Sequence, residues 1–338
     1  MEKEAYVYGT DDKGNAVCLT CRRRCVIPDG KKGWCRTRLN RDGKIYSLIY
    51  GEVSSLSINP IEKKPVFHFF PGSQWLSLGS LGCNFRCPGC QNWDISHWKN
   101  RKMDTEYISP EELVSRAESF GCAGLSFTFN EPVLWFEYTL DAAKLAKQRG
   151  LYTNYVTNGY ITDEAFAMLA PFLDVYRVDM KAFSEETYMK IGHIKEFTGI
   201  LDIMKKAKDC GMHVEAVTNI IPGFNDSGTE LRSIASWIRN SLGPEVPWHV
   251  TRFYPCLELS HLPPTPVSHL ERAWEIGKEE GLWYVYLGNV PGHRLENTYC
   301  HSCGAVLIER FVFDIVKNRI RNSRCPECGT LIPGRFER

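Results

Sequence analysis

Residues 78–93 read LGSLGCNFRCPGCQNW. Cys83, Cys87 and Cys90 stand at i, i+4 and i+7 in a glycine-rich loop behind a short apolar run, 75–78, and no fourth cysteine follows closely. Thiolates are natural ligands of iron–sulfur clusters, and three of them on a four-iron cubane leave one iron open to another ligand. Packing as small hydrophobes does not suit these thiols, because Asn84, Arg86, Pro88 and Gly89 separate them with polar and turn-forming residues. A structural zinc wants a fourth ligand. The loop is read as a 4Fe-4S site with one exchangeable iron.

Outward from this loop, from residue 75 to about 290, short β-rich runs alternate with amphipathic helical ones. Strand patterns fall at 75–80, 124–129, 152–157, 175–180, 213–221, 248–253 and 283–287. Helical patterns fall at 110–120, 134–148, 163–169, 185–210, 229–240 and 267–279. Ser109-Pro110-Glu111-Glu112 is a helix start, with a capping serine, a proline at the first position and acids in the first turn. Gly121, Gly150, Gly211 and Gly281 close helices ahead of the next strand. Repeated βα units build a parallel sheet, and right-handed crossovers curl it toward a barrel. Six or seven units fall short of the closed eightfold form, so the expected α/β fold is a partial, open parallel β/α barrel with its active residues at the carboxyl ends of the strands. Upstream, 47–58 predicts two short strands around Gly51, and His68 among three phenylalanines is expected as a packed core histidine.

The cysteine loop resembles that of the radical SAM superfamily, in which a C-x3-C-x-aromatic-C motif holds a 4Fe-4S cluster and S-adenosylmethionine chelates the open iron. Its flanks are similar to the branch related to pyruvate formate-lyase activating enzymes; Gly89 stands where the superfamily usually has an aromatic residue. The resemblance implies roles for the strand ends. Asn130-Glu131-Pro132 looks like the replacement for a Gly-Gly-Glu motif, with Glu131 facing the methionyl ammonium. Thr157 and Asn158, followed by Gly159, offer short polar groups where a ribose would lie, and Asp179 with Lys181 is similar to the branch's D-x-K. Asn130, Glu131, Thr157, Asn158 and Asp179 are therefore the candidate S-adenosylmethionine contacts. His249 and Arg252 lie three apart on one strand, and Arg252 is a candidate partner for a carboxylate in the barrel.

Eleven of the 14 cysteines fall into three tight sets, which in a chain of 338 residues points to metal binding rather than disulfides. Cys18, Cys21, Cys25 and Cys35 sit in a basic, apolar-poor segment that needs a metal to hold it together; four thiolates suit zinc or a second iron–sulfur cluster, and the absence of compact ferredoxin spacing favours zinc. Cys300, Cys303, Cys325 and Cys328 form paired knuckles on either side of a hairpin pattern, a zinc ribbon. The remaining Cys122, Cys210 and Cys256 are expected in the core. This divides the chain into a metal-knuckle module at 1–50, the barrel at 51–296 and the ribbon at 297–338.

A 43% hydrophobic, 24% charged composition is that of a globular protein, and no run approaches a membrane span or a signal segment, so a cytoplasmic protein without membrane contact is expected. Residues 1–50 carry 11 Lys+Arg against 6 Asp+Glu and residues 298–338 carry 7 against 4, in a chain of net charge +1 overall. Two basic modules on an acidic barrel suggest an anionic macromolecular substrate, protein or RNA. Along nearly its whole length the order of motifs resembles the radical SAM member of the AmmeMemoRadiSam system. That resemblance implies Memo-family and AMMECR-family partners, and the superfamily's chemistry implies a one-electron donor, ferredoxin or flavodoxin-like. The rival classes are an RNA-modifying enzyme of the same superfamily and a non-enzymatic metal-binding adaptor.

Overall fold

The structure is a computed structural model that describes residues 1–99 and 104–337. Its centre is an eight-stranded sheet in simple sequential order: β1 (Ser55–Pro60), β2 (Gln74–Gly79), β3 (Gly124–Phe127), β4 (Tyr152–Thr157), β5 (Val175–Asp179), β6 (His213–Ile220), β7 (Trp248–Arg252) and β8 (Val285–Gly288). From β2 onward every neighbouring pair is parallel, and β1 adds antiparallel to β2. β1 and β8 are the two edges, so the barrel is open. Strands such as β5 are buried on both faces, with Val175, Tyr176 and Val178 inaccessible, as a parallel sheet covered by crossover helices requires. The seven parallel strands lie within two residues of their predicted spans. That the run after Gly51 returns to edge this sheet was not expected.

The helices on the outer face are α1 (Pro110–Ser119), α2 (Phe136–Gln148), α3 (Asp163–Leu169), α4 (Glu185–Gly192), α5 (Thr198–Asp209), α6 (Gly228–Trp237) and α7 (Val267–Glu279). Ser109 caps α1 by accepting the Glu112 N–H. The single helix expected over 185–210 is two, because His193 ends α4 in the left-handed conformation. The cysteine loop occupies that end: Phe85 lies against Gly192, and the Arg86 N–H reaches the Gly192 carbonyl.

Segment 61–73 joins β1 to β2 and packs against the barrel strands. The Glu215 carboxylate of β6 accepts the Phe67 and His68 N–H groups and both the His213 and His249 rings. Burial opposes its charge, but the two histidine contacts outweigh burial and hold it well below the usual carboxylate range. The barrel carboxylate thus pairs with His249 and not, as expected, with Arg252, whose Nε donates to the Thr265 carbonyl. His68 is fully buried, with its ring nitrogens 2.7 Å from the Pro333 carbonyl and the Tyr286 hydroxyl. Burial pushes its pKa from 6.5 down to about 3. The unfolded chain therefore binds a proton that the folded chain refuses, and His68's contribution, intact above pH 6.5, is lost as pH falls toward 3 at about 1.4 kcal/mol per pH unit. His68→Gln is expected to be less stable at pH 7 yet to lose stability less steeply between pH 6.5 and 4; equal slopes in urea unfolding would show that His68 does not carry this term.

The two small modules dock on the barrel with unequal means. Residues 1–50 form two three-stranded antiparallel sheets joined to α2 by a buried Arg38–Glu137 pair at 2.7 Å. The basic run is spent in the same seam: Arg22 meets Ile161 and Asp163, Arg23 donates to the Asn84 and His193 carbonyls, and Arg24 holds Glu164. The C-terminal module is an antiparallel sheet of β9 (Thr298–Tyr299), β10 (Val306–Phe311) and β11 (Asp314–Asn318). Its core is shared with the barrel, since Leu307, Ile308, Ile320 and Ile332 pack with Phe67, Tyr284 and Tyr286 of the barrel. Buried Arg310 ties the two by donating to Thr298 Oγ1 and to the Phe67 carbonyl. Among the described residues no helix is long and apolar enough to cross a membrane.

Candidate functional site

The carboxyl ends of β2 to β7 and the cysteine loop enclose a cleft of about 510 Å³, within the ~300–1,000 Å³ of small-molecule sites. Cys83, Cys87 and Cys90 line it together with Asn130, Glu131, Thr157, Asn158 and Asp179. The β3 end is aimed by a tight turn: Phe129 takes φ +70°, unusual for a bulky residue, and the Asn130 N–H closes onto the Thr128 carbonyl. Asn130 then spends its amide on the loop, accepting the Ser80 N–H and donating to the Gly82 carbonyl, both at 2.9 Å. It acts as a strut for the thiols.

Glu131 is 3% exposed, and its carboxylate accepts Thr157 Oγ1 at 2.6 Å and the Asn158 N–H at 2.8 Å. Burial pushes it up to about 7 against these hydrogen bonds. Among the described residues no basic side chain pairs with it, so a buried carboxylate faces the cleft with no cation of its own. Asn158 also donates to Asn84 Oδ1 at 2.7 Å, linking the β4 end to the cysteine loop. Asp179 is treated differently: burial works against its charge, but Arg177 and Lys181 more than compensate and hold it below the usual range. Burial raises Cys83 well above the ordinary thiol value and Cys87 to about 11, the latter partly offset by Lys181. Such thiols become thiolates only with a metal to take their charge.

Gly89 is explained by space. A Cβ there would lie 3.0 Å from the Phe253 and Leu259 side chains, so a ring at this position would have to displace them. Sequence reasoning missed Arg177, Lys64, Asn219 and Thr251, which also line the cleft. Period two could have found three of them: Arg177 shares a face with Asp179, and Asn219 and Thr251 are register partners on β6 and β7. Of the three cysteines expected in the core, Cys122 is buried, Cys210 is exposed, and Cys256 lies against the loop with Sγ 3.3 Å from the Cys90 carbonyl.

Away from the cleft, Cys300, Cys303, Cys325 and Cys328 bring their sulfurs within 4.8 Å of one another, with Sγ–Sγ distances of 3.6 Å (Cys300–Cys328) and 3.7 Å (Cys303–Cys325). Four thiolates closed this tightly suit a single tetrahedral ion. Cys18, Cys21, Cys25 and Cys35 line one small cavity beneath the cysteine loop.

Comparison with known proteins bears on this geometry. Residues 78–238 match the family model described as Radical SAM superfamily. An uncharacterized protein of Methanocaldococcus jannaschii, MJ0808, is 42% identical over 312 residues, 92% of each chain. The pyruvate formate-lyase-activating enzyme of Clostridium pasteurianum is 27% identical over 178 residues, covering 50% of this chain and 72% of that one. Among solved structures, a radical SAM methyltransferase from Sphaerobacter thermophilus superposes with a TM-score of 0.51 at 16% identity, over 65% of this chain and 67% of that one, and so shares the fold.

Proposed function

The chain belongs to the radical SAM superfamily, distantly related to the pyruvate formate-lyase-activating enzymes, and from that premise we propose that it cleaves S-adenosylmethionine in the described cleft and abstracts hydrogen from a protein substrate. The observation that carries this is Glu131, a buried carboxylate without a cationic partner among the described residues, set in one cleft with the thiols of Cys83, Cys87 and Cys90. The donor set fits: Cys83, Cys87 and Cys90 hold a 4Fe-4S cluster with one open iron, and Glu131 receives the ammonium of S-adenosylmethionine. When bound, that pair supplies a one-electron cleavage to methionine and a 5′-deoxyadenosyl radical, the electron coming from a ferredoxin- or flavodoxin-like donor.

The protein's own part is orientation and exclusion. Thr157 and the Asn158 N–H fix the rotamer of Glu131, Asn130 fixes the loop, and Asp179 between Arg177 and Lys181 stays charged at the carboxyl end of the next strand, β5. Phe253 and Leu259 close the side of the loop at Gly89. Anaerobic reconstitution with dithionite and S-adenosylmethionine should yield 5′-deoxyadenosine; a loaded cluster with no cleavage would reject the reading and leave an adaptor. Glu131→Gln removes the charge that faces the ammonium and should weaken S-adenosylmethionine binding by about 1.5–3 kcal/mol, roughly 10- to 150-fold, at equal iron content. Unchanged affinity by calorimetry would reduce Glu131 to a turn residue.

Likeness to the activating enzyme, whose name specifies a protein target, supports a protein substrate here. Against the RNA reading, Arg22, Arg23 and Arg24 of the basic N-terminal module are engaged with other parts of the chain. Zinc is the proposed occupant of the C-terminal set.

A further inference from the structure

The two four-cysteine sets differ in a way that spacing along the chain did not show. Around one zinc, with Zn–S near 2.3 Å, thiolates stand about 3.8 Å apart and touch one another. The C-terminal set has this form. Among the described residues it is the one group of three or more His, Cys, Asp or Glu side chains whose ligand atoms all close to within 4.8 Å.

Cys18, Cys21, Cys25 and Cys35 do not close in that way. They converge on a small cavity with room between them for a water-sized group, about 10 Å³ measured at its centre. Three of the four are buried and Cys25 is half-buried. The rest of the cavity wall carries apolar, neutral polar and cationic side chains but no acidic one, with Ile27, Leu134, Thr20, Asn84, Arg23 and Arg38. Such a wall suits an anionic group of four thiolates and inorganic sulfide. Thiolates at the corners of an iron–sulfur cluster stand wider than those around one ion, because bridging sulfides and further irons lie between them.

The place of this cavity is as informative as its size. Asn84, the residue after Cys83, lines its wall, and Asn84 Oδ1 is 3.8 Å from Cys83 Sγ. Arg86 spans the two loops, donating to the Cys83 carbonyl at 2.8 Å and to the Trp34 carbonyl at 3.0 Å. Gly82 lets them touch: with φ +84°, it would place a Cβ 2.7 Å from Thr37 Cγ2 and 3.1 Å from the Cys35 carbonyl.

We propose that Cys18, Cys21, Cys25 and Cys35 hold a second iron–sulfur cluster, against the loop of Cys83. The ligand assignment stands without the functional reading above, whereas its use as a relay rests on it. One electron from an external reduced carrier reduces the N-terminal cluster by one unit, and its passage inward oxidises that cluster and reduces the barrel cluster by the same unit, with no atom transferred.

The test uses the full chain with Cys83, Cys87 and Cys90 all changed to alanine, reconstituted anaerobically beside the wild type. The variant should retain about two or four irons with matching acid-labile sulfide, depending on cluster type, and show on reduction an electron paramagnetic resonance signal indifferent to S-adenosylmethionine. The fully reduced wild type should show spin–spin broadening that the variant lacks. If the barrel site were misread, variant and wild type would contain equal iron, a separate result. A variant with no labile sulfide and one further zinc, or one lone iron, overturns the second cluster, and two uncoupled signals in the wild type overturn its placement.

Discussion

Replacing any one of Cys83, Cys87 or Cys90 by alanine is expected to remove about four irons per chain and to reduce cleavage of S-adenosylmethionine to background. Two thiolates cannot hold a cubane that must also keep one iron open, and the iron that would have carried the missing thiolate is exposed to solvent and lost. The barrel should remain folded, because these thiols line the cleft rather than fill the core, which is built from residues such as Leu76, Leu125, Val178 and Val250. Circular dichroism and the melting transition should stay near wild type while the S-adenosylmethionine-sensitive resonance disappears. Iron at the barrel loop and 5′-deoxyadenosine formation persisting in any of the three variants would overturn the central assignment.

The second large effect lies at the other end of the chain. Removing the metal from Cys300, Cys303, Cys325 and Cys328 should unfold the C-terminal module, since structural zinc contributes on the order of 10–16 kcal/mol in peptides that fold around it. The loss will not stay local. Phe67, Tyr284 and Tyr286 would lose their cover, His68 would lose the Pro333 carbonyl, and the Arg310 anchor on the Phe67 carbonyl would go. Chelation, or Cys303→Ser with Cys325→Ser, should therefore expose residues 298–337 to protease and also lower the melting temperature of the barrel by several degrees. The same pattern of protection in metal-free and metal-loaded protein would show that packing alone holds the module. An isolated fragment is a poor substitute, because Phe67, Tyr284 and Tyr286 of its core belong to the barrel.

Much of this was legible in the linear chain for a physical reason: strands and helices declare themselves through periods of 2 and 3.6, and glycine and proline mark where they stop. The seven parallel strands could be read to within two residues, and with them the strand-end positions of Glu131, Thr157, Asn158 and Asp179. The thiol sets could be read because ligand spacing in a loop is a local property. What needed the folded chain is what depends on contacts between distant segments. Nothing near Gly89 announces that Phe253 and Leu259 will fill its space, and nothing near Arg23 announces that its charge ends on Asn84 and His193. The edge position of β1, the break between α4 and α5 at the cysteine loop, and the joining of Glu215 to His249 are settled by partners more than a dozen residues away. Composition and spacing therefore determined the class of chemistry and the order of the elements. Tertiary packing decided which charges are spent inside the protein, which carboxylate is left facing the cleft, and how wide each set of thiols stands, because burial and distance are properties of the assembled fold and not of the neighbouring residues.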